Sequence, residues 1–385
     1  MFVLKIFARN AFRHRLRTVL TILGITVAIL AFGLLRTVIS AWYAGVNSSS
    51  SARLITRNAI SLVFSLPISY YERVRHVEGV TKVSYANWFG GVYITERNFF
   101  PNFAIEPDSY LGLYPEFILS GDQRKAFVSD RKGCVAGRKL ARRFGWKPGD
   151  IITLKGTIFP GRWEFVLRGI YDGRDASTDE GQFFFHWNYL NETLRVTVPR
   201  RADQIGVLVI GLKNPQSAAE TSRAVDGLFR NSLAETLTET EKAFQLSFVS
   251  MTEAIVIAIR IVSFVVIVII LAVVANTMAM TARERIGEYA IYKAMGFRGR
   301  HIAGMVFGES LFITMTGCML GVILTFPVAR AFGQMMDAFF PVFVVERSTI
   351  YLDIAFSLAV GIIAALFPTW RAVTINVADG LRRIG

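Results

Sequence analysis

The sequence predicts an α-helical membrane protein with four transmembrane helices in a 1+3 arrangement and a large extracytoplasmic α+β domain. Hydrophobic residues make up 52% of the chain and aromatic residues 13%, which is high for an ordinary soluble protein. The excess lies in four runs, each long enough to cross about 30 Å of hydrocarbon. Between the first two runs, residues 42–250 alternate short apolar strands with turn signals. This segment therefore reads as a folded insert.

The distribution of charge predicts how the chain crosses the membrane. The formal net charge is +14, and most of it lies beside the apolar runs, in residues 1–17, 281–302 and 371–385. Positive residues flank membrane spans on the cytoplasmic side. We therefore predict a multi-pass membrane protein with both termini cytoplasmic and the large domain extracytoplasmic. The same clustering argues against nucleic acid as a partner and favours contact with membrane lipids.

The first transmembrane helix is predicted at residues 18–41, after a cytoplasmic segment of residues 1–17. The basic side chains of this segment are expected to anchor the chain on anionic lipid; they are Lys5, Arg9, Arg13, Arg15 and Arg17. A cleaved signal peptide is the alternative, because small residues follow the run. The run is longer than a typical signal-peptide core, which favours a retained helix.

The predicted domain of residues 42–250 has a helix and strands early and a strand and helix late. Ser69–Val77 and Ala218–Phe229 read as helices, and Gly206–Gly211 reads as a buried strand. This order is compatible with a split ferredoxin-like layer. Residues 107–197 are then expected to form an inserted β-rich lobe. The aromatic residues of the domain are read either as core or as an apolar surface for a substrate or partner; they are Trp88, Phe89, Phe99, Phe100 and Phe183–Trp187.

After the domain, residues 233–260 change from polar to apolar with helical spacing. We predict one continuous helix that forms a stalk and the second span, with stalk and span together at residues 251–280. The third span is predicted at residues 303–328, ending near Pro327. The fourth is predicted at residues 350–367, with a cytoplasmic tail of residues 368–385.

The third span carries the features of a packed intramembrane helix. Two G-x-x-x-G pairs permit close helix approach, namely Gly304 with Gly308 and Gly317 with Gly321. Glu309 is an intramembrane carboxylate, which marks a functional site by default. The alternative is a structural pair with a basic residue of the preceding connection.

That connection, residues 281–302, is a short charged segment between two spans. Its middle has helical spacing, and Gly296 is placed to end the helix. The motif reads Arg285-Ile-Gly-Glu288-Tyr-Ala290-Ile-Tyr-Lys-Ala294-Met-Gly296. It resembles the coupling loop of the MacB/FtsX-like permeases of ABC transporters, in which a similar pattern follows the second span. The 1+3 spans around a large insert resemble the same family, with a MacB-type periplasmic core domain and an FtsX-like permease domain. Asn376 departs from the family by replacing an expected proline.

The resemblance implies a transmembrane permease subunit of the bacterial inner membrane, with its large domain in the periplasm, driven by a separate cytoplasmic ABC ATPase. It also implies a homodimer or a pair with a paralogous permease, and sometimes a periplasmic adaptor. Coupling would transmit movement mechanically for export or extraction of a lipid, a lipoprotein or an amphipathic molecule. The alternative within the family is an FtsX-like signalling subunit that activates a cell-envelope partner. The residues expected to couple to the ATPase are Arg283, Arg285, Glu288, Ala290, Lys293, Ala294 and Gly296.

Motifs for catalysis are missing from the sequence. No G-x-x-x-x-G-K-[ST] occurs, so the chain itself is not expected to hydrolyse ATP through a P-loop. The histidines lack metal-ligand spacing, and no nucleophile–base pair stands out. We therefore expect no enzyme activity, catalytic residue, metal or cofactor. A membrane enzyme remains the competing class because of one acidic cluster in the insert, which we read as a solvated loop; it comprises Asp172, Asp175, Asp179 and Glu180.

Overall fold

The computed structural model describes residues 9–336, 340 and 342–375. The chain divides into two compact units, one formed by the long apolar helices and one by residues 42–252 with 337–342. Lys5 and Asn376, which figured in the sequence predictions, lie outside the described residues. The helices are, in chain order, α1 (Arg15–Trp42), α2 (Ala44–Ser48), α3 (Ser69–Val74), α4 (Pro107–Leu113), α5 (Gly121–Ser129), α6 (Arg138–Phe144), α7 (Trp187–Thr197), α8 (Ala218–Leu228), α9 (Glu241–Ser250), α10 (Glu253–Glu284), α11 (Ile286–Ala294), α12 (Gly299–Met335) and α13 (Arg347–Thr374).

Four helices of the described residues are long and apolar enough to cross a membrane, and they correspond to α1, α10, α12 and α13. The predicted four-span class is thus confirmed. Helix α12 continues through Pro327 to Met335, so this proline does not end the helix, and the end of the span near Pro327 stays a prediction. Pro327 removes only one backbone donor, and a transmembrane helix tolerates this where its neighbours cover the freed carbonyl.

The second G-x-x-x-G pair of α12 packs against α1. A Cβ atom added to Gly317 would lie 2.7 Å from Ile25 Cβ, and one added to Gly321 would lie 2.7 Å from Ile29 Cβ. These distances are too short for any side chain, so glycine permits the close approach of the two helices. The first pair differs, since a Cβ atom on Gly304 meets nothing within 4 Å.

The second unit is a mixed α/β domain built on one long sheet. The strands are β1 (Arg53–Asn58), β2 (Leu66–Pro67), β3 (Val80–Trp88), β4 (Gly91–Tyr93), β5 (Asn102–Ile105), β6 (Phe117–Ile118), β7 (Gly133–Gly137), β8 (Ile151–Gly156), β9 (Gly161–Gly173), β10 (Phe183–His186), β11 (Gln204–Ile205), β12 (Val207–Leu212) and β13 (Thr236–Thr240). The strand order of the sheet is β13-β1-β12-β3-β5-β10-β7-β9-β8-β4, with β6 paired to β9, and β11 and β2 form a separate pair.

Residues 107–197, predicted to form an inserted β-rich lobe, contribute strands β6 to β10, and the sheet joins them to the rest of the domain. Strand β10 pairs with β5 in parallel and with β7 in antiparallel orientation, which joins the lobe to the rest of the sheet. Four helices, α4 to α7, also lie in this segment. The join is apolar, because Phe183, Phe184 and Phe185 of β10 are all fully buried. Burial of consecutive side chains on both faces is the property of a central strand.

Most of the aromatic residues noted in the sequence belong to this core. Phe89 and Phe100 are buried with β10. Trp88 and Phe99 differ, because both remain 41% exposed and their ring centroids lie 6.0 Å apart. The core interpretation therefore holds for most of the set, and one aromatic pair is left at the surface.

The predicted continuous helix from residue 233 into the second span is wrong. Residues 236–240 form the edge strand β13, paired with β1, and the helix is interrupted at Met251 and Thr252. The strand is favoured because Asp226 accepts hydrogen bonds from the hydroxyls of Thr236 and Thr238, at 2.8 and 2.7 Å. Helix α9 then begins at Glu241 with Thr240 as its N-cap.

A buried ionic cluster fixes the start of α9 to the sheet. Arg53 of β1 donates from Nε to Glu241 Oε2 at 2.8 Å and from Nη2 to Glu116 Oε1 at 2.6 Å. Its guanidinium also lies 4.2 Å from the ring centroid of Tyr114. Arg53 and Glu241 are each 6% exposed. At the other end of α9, Trp42 Nε1 donates to Thr252 Oγ1 at 2.7 Å. The two segments through which the chain enters and leaves the domain are therefore tied to each other.

Candidate coupling site

The connection between α10 and α12 is a short helix with a defined beginning and end. Helix α10 ends at Glu284, and Arg285, with φ −100° and ψ 11°, turns the chain into α11. At the other end Gly296 has φ +90°. Its N–H donates to Lys293 O at 3.0 Å, and the N–H of Phe297 donates to Tyr292 O at 3.0 Å. These two bonds form a Schellman motif, so Gly296 ends the helix as the sequence pattern predicts.

A buried ion pair joins α11 to α12. Arg285 Nη1 donates to Glu309 Oε2 at 2.7 Å, and the two residues are 6% and 3% exposed. Arg285 Nε also donates to Glu288 Oε2 at 3.1 Å, and its guanidinium lies 5.6 Å from the ring centroid of Tyr289. The pairing of Glu309 with a basic residue of the connection, one of the two readings of this carboxylate, is the arrangement found here. Removing one partner of such a pair costs about 3–5 kcal/mol, because the other charge is left buried alone.

Basic residues at the start of α1 and just before it bind the same connection. Arg17 donates from Nη1 and Nη2 to the two carboxylate oxygens of Glu284, both at 2.7 Å. Arg13 donates to Glu288 Oε1. Burial alone raises the pKa of Glu288, but the hydrogen bonds from Arg13 and Arg285 outweigh it, and the net shift is downward. The expectation that Arg13 and Arg17 serve as lipid anchors is therefore incomplete, since both bind carboxylates of this protein.

Lys293 connects α11 to the last turn of α13. Its Nζ donates to the carbonyl oxygens of Val373 and Ile375 at 2.5 and 2.8 Å. A cation at a helix C-terminus is favourable because it meets unpaired carbonyls and the negative end of the helix dipole. Ala290, which is fully buried, packs on the inner side of the same helix. Helix α11 is thus held by α12 through Arg285, by α13 through Lys293 and by Arg13, just before α1, through Glu288.

The remaining predicted coupling residues face outward. Arg283, Ala294 and Gly296 are exposed. Three large apolar side chains lie on the same stretch, with exposed fractions of 42% for Ile291, 60% for Met295 and 42% for Phe297. Arg298 and Arg300 follow and are also exposed. We call Ile291, Met295, Phe297, Arg298 and Arg300 the outer face of the connection.

Two buried charged residues, Asp353 and Arg53, were not singled out in the sequence analysis. Asp353 lies two turns into α13 and is 1% exposed; a lone carboxylate in an apolar run was the available signal. Arg53 was missed because nothing local in the sequence distinguishes it from a surface arginine, and its partners lie far along the chain.

The acidic cluster of the insert is engaged in local contacts. Arg138 binds Asp172 through two bonds of 2.7 and 2.8 Å, and the hydrogen bond from Arg138 holds the pKa of Asp172 below its usual range. Asp175 accepts from the hydroxyl and the backbone of Ser177. Glu180 accepts from the N–H of Gly173 at 2.9 Å. These carboxylates shape their own loop. Among the described residues, no group of three or more His, Cys, Asp or Glu side chains could hold a metal ion.

Four spans, a large α/β domain after the first, and a short helix bound between the second and third define a class of multi-pass membrane permeases. Comparison with known families identifies which one. The MacB-like periplasmic core domain matches residues 18–228, and the FtsX-like permease C-terminal domain matches residues 260–377. The chain belongs to this family of ABC transporter permeases.

Individual proteins that are similar to this chain in sequence are also named as ABC transporter permeases. An uncharacterized ABC transporter permease, MJ1507 of Methanocaldococcus jannaschii, is 24% identical over 97% of this chain and 96% of its own. The uncharacterized ABC transporter permease YvrN of Bacillus subtilis is 34% identical over 28% of this chain and 26% of its own. The macrolide export ATP-binding/permease protein MacB of Bradyrhizobium diazoefficiens is 32% identical over 29% of this chain and 16% of its own. These three relatives are all named as permeases. Membership of the family implies a cytoplasmic ATPase partner.

Proposed function

We propose that this permease subunit receives movement from a separate ATPase at the outer face of the α10–α12 connection and passes it to the domain on the other side of the membrane. The observation that carries the proposal is the buried Arg285–Glu309 pair, which fastens α11 to a span. The outer face supports it as well, because exposed apolar side chains beside arginines suit a soluble protein partner with a complementary acidic surface.

The contacts of α11 suit a segment that passes movement on, because they fix this helix to its neighbours, whereas a flexible loop would absorb the movement. Arg285 and Lys293 hold α11 to α12 and α13, and Glu288 holds it to Arg13 just before α1. A force on the outer face would have to break a buried ion pair, at a cost of about 3–5 kcal/mol, before α11 moved alone. In the proposed mechanism α11 therefore moves together with α10, α12 and α13.

From α10 the chain runs through Met251 and Thr252 into α9. The bonds Trp42–Thr252 and Arg53–Glu241 then tie α9 to the other entry segment and to the sheet. A displacement of α10 would reach the sheet through these bonds. Both ends of α9 are fixed within the domain, so the short break at residues 251–252 is the proposed joint.

The proposed cargo is a lipid, a lipoprotein or an amphipathic small molecule taken from the membrane surface or the periplasm. The exposed pair Trp88 and Phe99 offers an apolar surface on the domain that suits such a molecule. In this scheme two permease subunits act together, as a homodimer or with a paralogous partner. An adaptor protein belongs to the same proposal where one is present. We place the subunit in the bacterial inner membrane with both termini cytoplasmic.

Co-purification from native membranes in mild detergent tests the first step. We expect an ATP-hydrolysing subunit with the unchanged chain and its loss with the double variant Ile291→Glu and Met295→Glu, which alters only exposed side chains. Arg75→Glu, an exposed substitution in the domain beside Glu72, is the matched control and should retain the subunit. Absence of an ATPase from every sample would refute the proposal.

A second arm tests transmission. Arg285→Met together with Glu309→Gln removes the buried link without touching the outer face. We expect this variant to keep the ATPase subunit but to lose the ATP-dependent change in the domain, followed by a fluorophore placed beside Trp88. An unchanged signal would show that the link does not carry movement. A domain that responds to ATP in a strain that exports nothing would favour the signalling alternative.

A further inference from the structure

Within the described residues, the span unit contains a second buried carboxylate, and no cation pairs with it as Arg285 pairs with Glu309. Asp353 is 1% exposed, and its Oδ1 atom has no hydrogen-bond partner in that part of the chain. Its neighbours one turn away on α13, Thr349 and Ser357, are 0% and 3% exposed, and their hydroxyl oxygens are also without partners within the described part of the chain. The three side chains recur every fourth residue and therefore lie on one face of α13.

This polar face of α13 packs against α1 and α12. A Cβ atom built on Gly33 would lie 3.4 Å from Asp353 Oδ2 and 3.1 Å from Thr325 Oγ1. Cys318 Sγ donates to the carbonyl oxygen of Asp353 at 3.7 Å. The hydroxyl of Thr325 is used within α12, since it donates to Gly321 O at 2.8 Å. The helices thus meet tightly around a carboxylate that none of these neighbours neutralises.

The charged groups of the packed helices do not supply the missing partner. On α1 the charged residue that follows Gly33 is Arg36, one turn further along, and its Nε is buried. Within the described residues this Nε has no hydrogen-bond partner and no ion pair joins Arg36 to Asp353. On α12 Arg330 is exposed, and on α10, which also packs along α13, Glu253 and Arg260 are exposed. An ionised carboxylate in such surroundings costs several kcal/mol.

We propose that Asp353 is a proton-binding site within the span unit, and that the packing of α1, α12 and α13 around it holds the neutral carboxylic acid. The ligand is a proton, because a neutral acid group needs no counter-charge in an apolar interior. Ionisation then has one physical outcome: the helices must separate enough to admit water or a cation. The site does not depend on the proposed coupling to an ATPase.

Chemical labelling gives the direct test. Dicyclohexylcarbodiimide enters apolar phases and reacts with protonated carboxylic acids, and the labelled peptide is identified by mass spectrometry. In the full chain in lipid we expect label on Asp353 that declines as the pH is raised. Glu309 is the internal control, because it is equally buried but paired with Arg285, and it should remain unlabelled. Asp353→Asn should remove the α13 label without affecting other positions.

Thermal unfolding across the same pH range covers the case in which the reagent fails to reach the site. The folded chain holds a proton that the unfolded chain releases, so stability should fall with rising pH. Asp353→Asn imitates the neutral acid and should remove this part of the pH dependence. Identical pH profiles for the two proteins would overturn the proposal. A variant that is destabilised equally at every pH would also overturn it, because that result would indicate an ion pair, with Arg36 the candidate partner.

Discussion

The buried pair of Arg285 and Glu309 makes an asymmetric prediction about stability. Within the described residues, Arg285 is the ion-pair partner of Glu309, whereas Arg285 also binds Glu288 at 3.1 Å. Arg285→Met leaves an ionised carboxylate buried alone, at an expected cost of about 3–5 kcal/mol. Glu309→Gln leaves Arg285 with Glu288 and with an amide oxygen that still accepts its hydrogen bond. The expected cost there is the difference between a charged and a neutral acceptor, about 1–2 kcal/mol.

The double variant completes the cycle. Arg285→Met with Glu309→Gln removes both charges, so most of the loss in the Arg285→Met protein should be recovered. The free energy of unfolding can be followed by circular dichroism as sodium dodecyl sulfate is titrated into mixed micelles. Equal losses for the two single variants, or a double variant as unstable as the sum of the two, would refute the assignment of this pair as a buried, mutually neutralising link.

Three further predictions follow from local geometry. His186 is 4% exposed, and burial lowers its pKa. As the pH falls the unfolded chain therefore takes up a proton before the folded chain does, so stability should fall below about pH 6.5. In thermal melting measured against pH, His186→Asn should reduce this loss of stability. Gly321→Val should cost about 1–3 kcal/mol by overpacking, because even a Cβ atom lies 2.7 Å from Ile29 Cβ; Gly304→Ala, with open space around it, is the control that should melt near the parent temperature. Gly296→Ala should cost about 1 kcal/mol because φ is +90°, and an unchanged melting midpoint would contradict the role of this glycine as a helix end.

The sequence predicted the features that depend on neighbouring residues. Apolar runs predicted the four spans, because a bilayer requires a long continuous hydrophobic stretch. The helix end at Gly296 was predictable because only glycine adopts its conformation without strain.

Features that depend on distant partners were not predictable. The strand Thr236–Thr240 reads as part of a polar helix until Asp226 and β1 are beside it. The sheet pairing that joins residues 107–197 to the rest of the domain could not be read from the sequence, because β5 and β10 lie far apart along the chain. In the site, Glu309 was visible as an intramembrane carboxylate, but its choice of Arg285 among several basic residues of the connection required the fold. The bonds from Arg13 and Arg17 could not be read locally for the same reason.

The two buried carboxylates of the span unit show how one helix bundle can combine a rigid contact with an adjustable one. Glu309 lies against a guanidinium at 2.7 Å, so its charge stabilises the contact between α11 and α12 and changing it would be costly. Asp353 lies among α1, α12 and α13 with an oxygen atom that has no partner, so the same packing is compatible only with its neutral form. A movement that enters through α11 would therefore meet stiff contacts first. In the proposed scheme the contact among α1, α12 and α13 depends on pH instead, because a proton and not a neighbouring cation holds the Asp353 carboxyl group neutral.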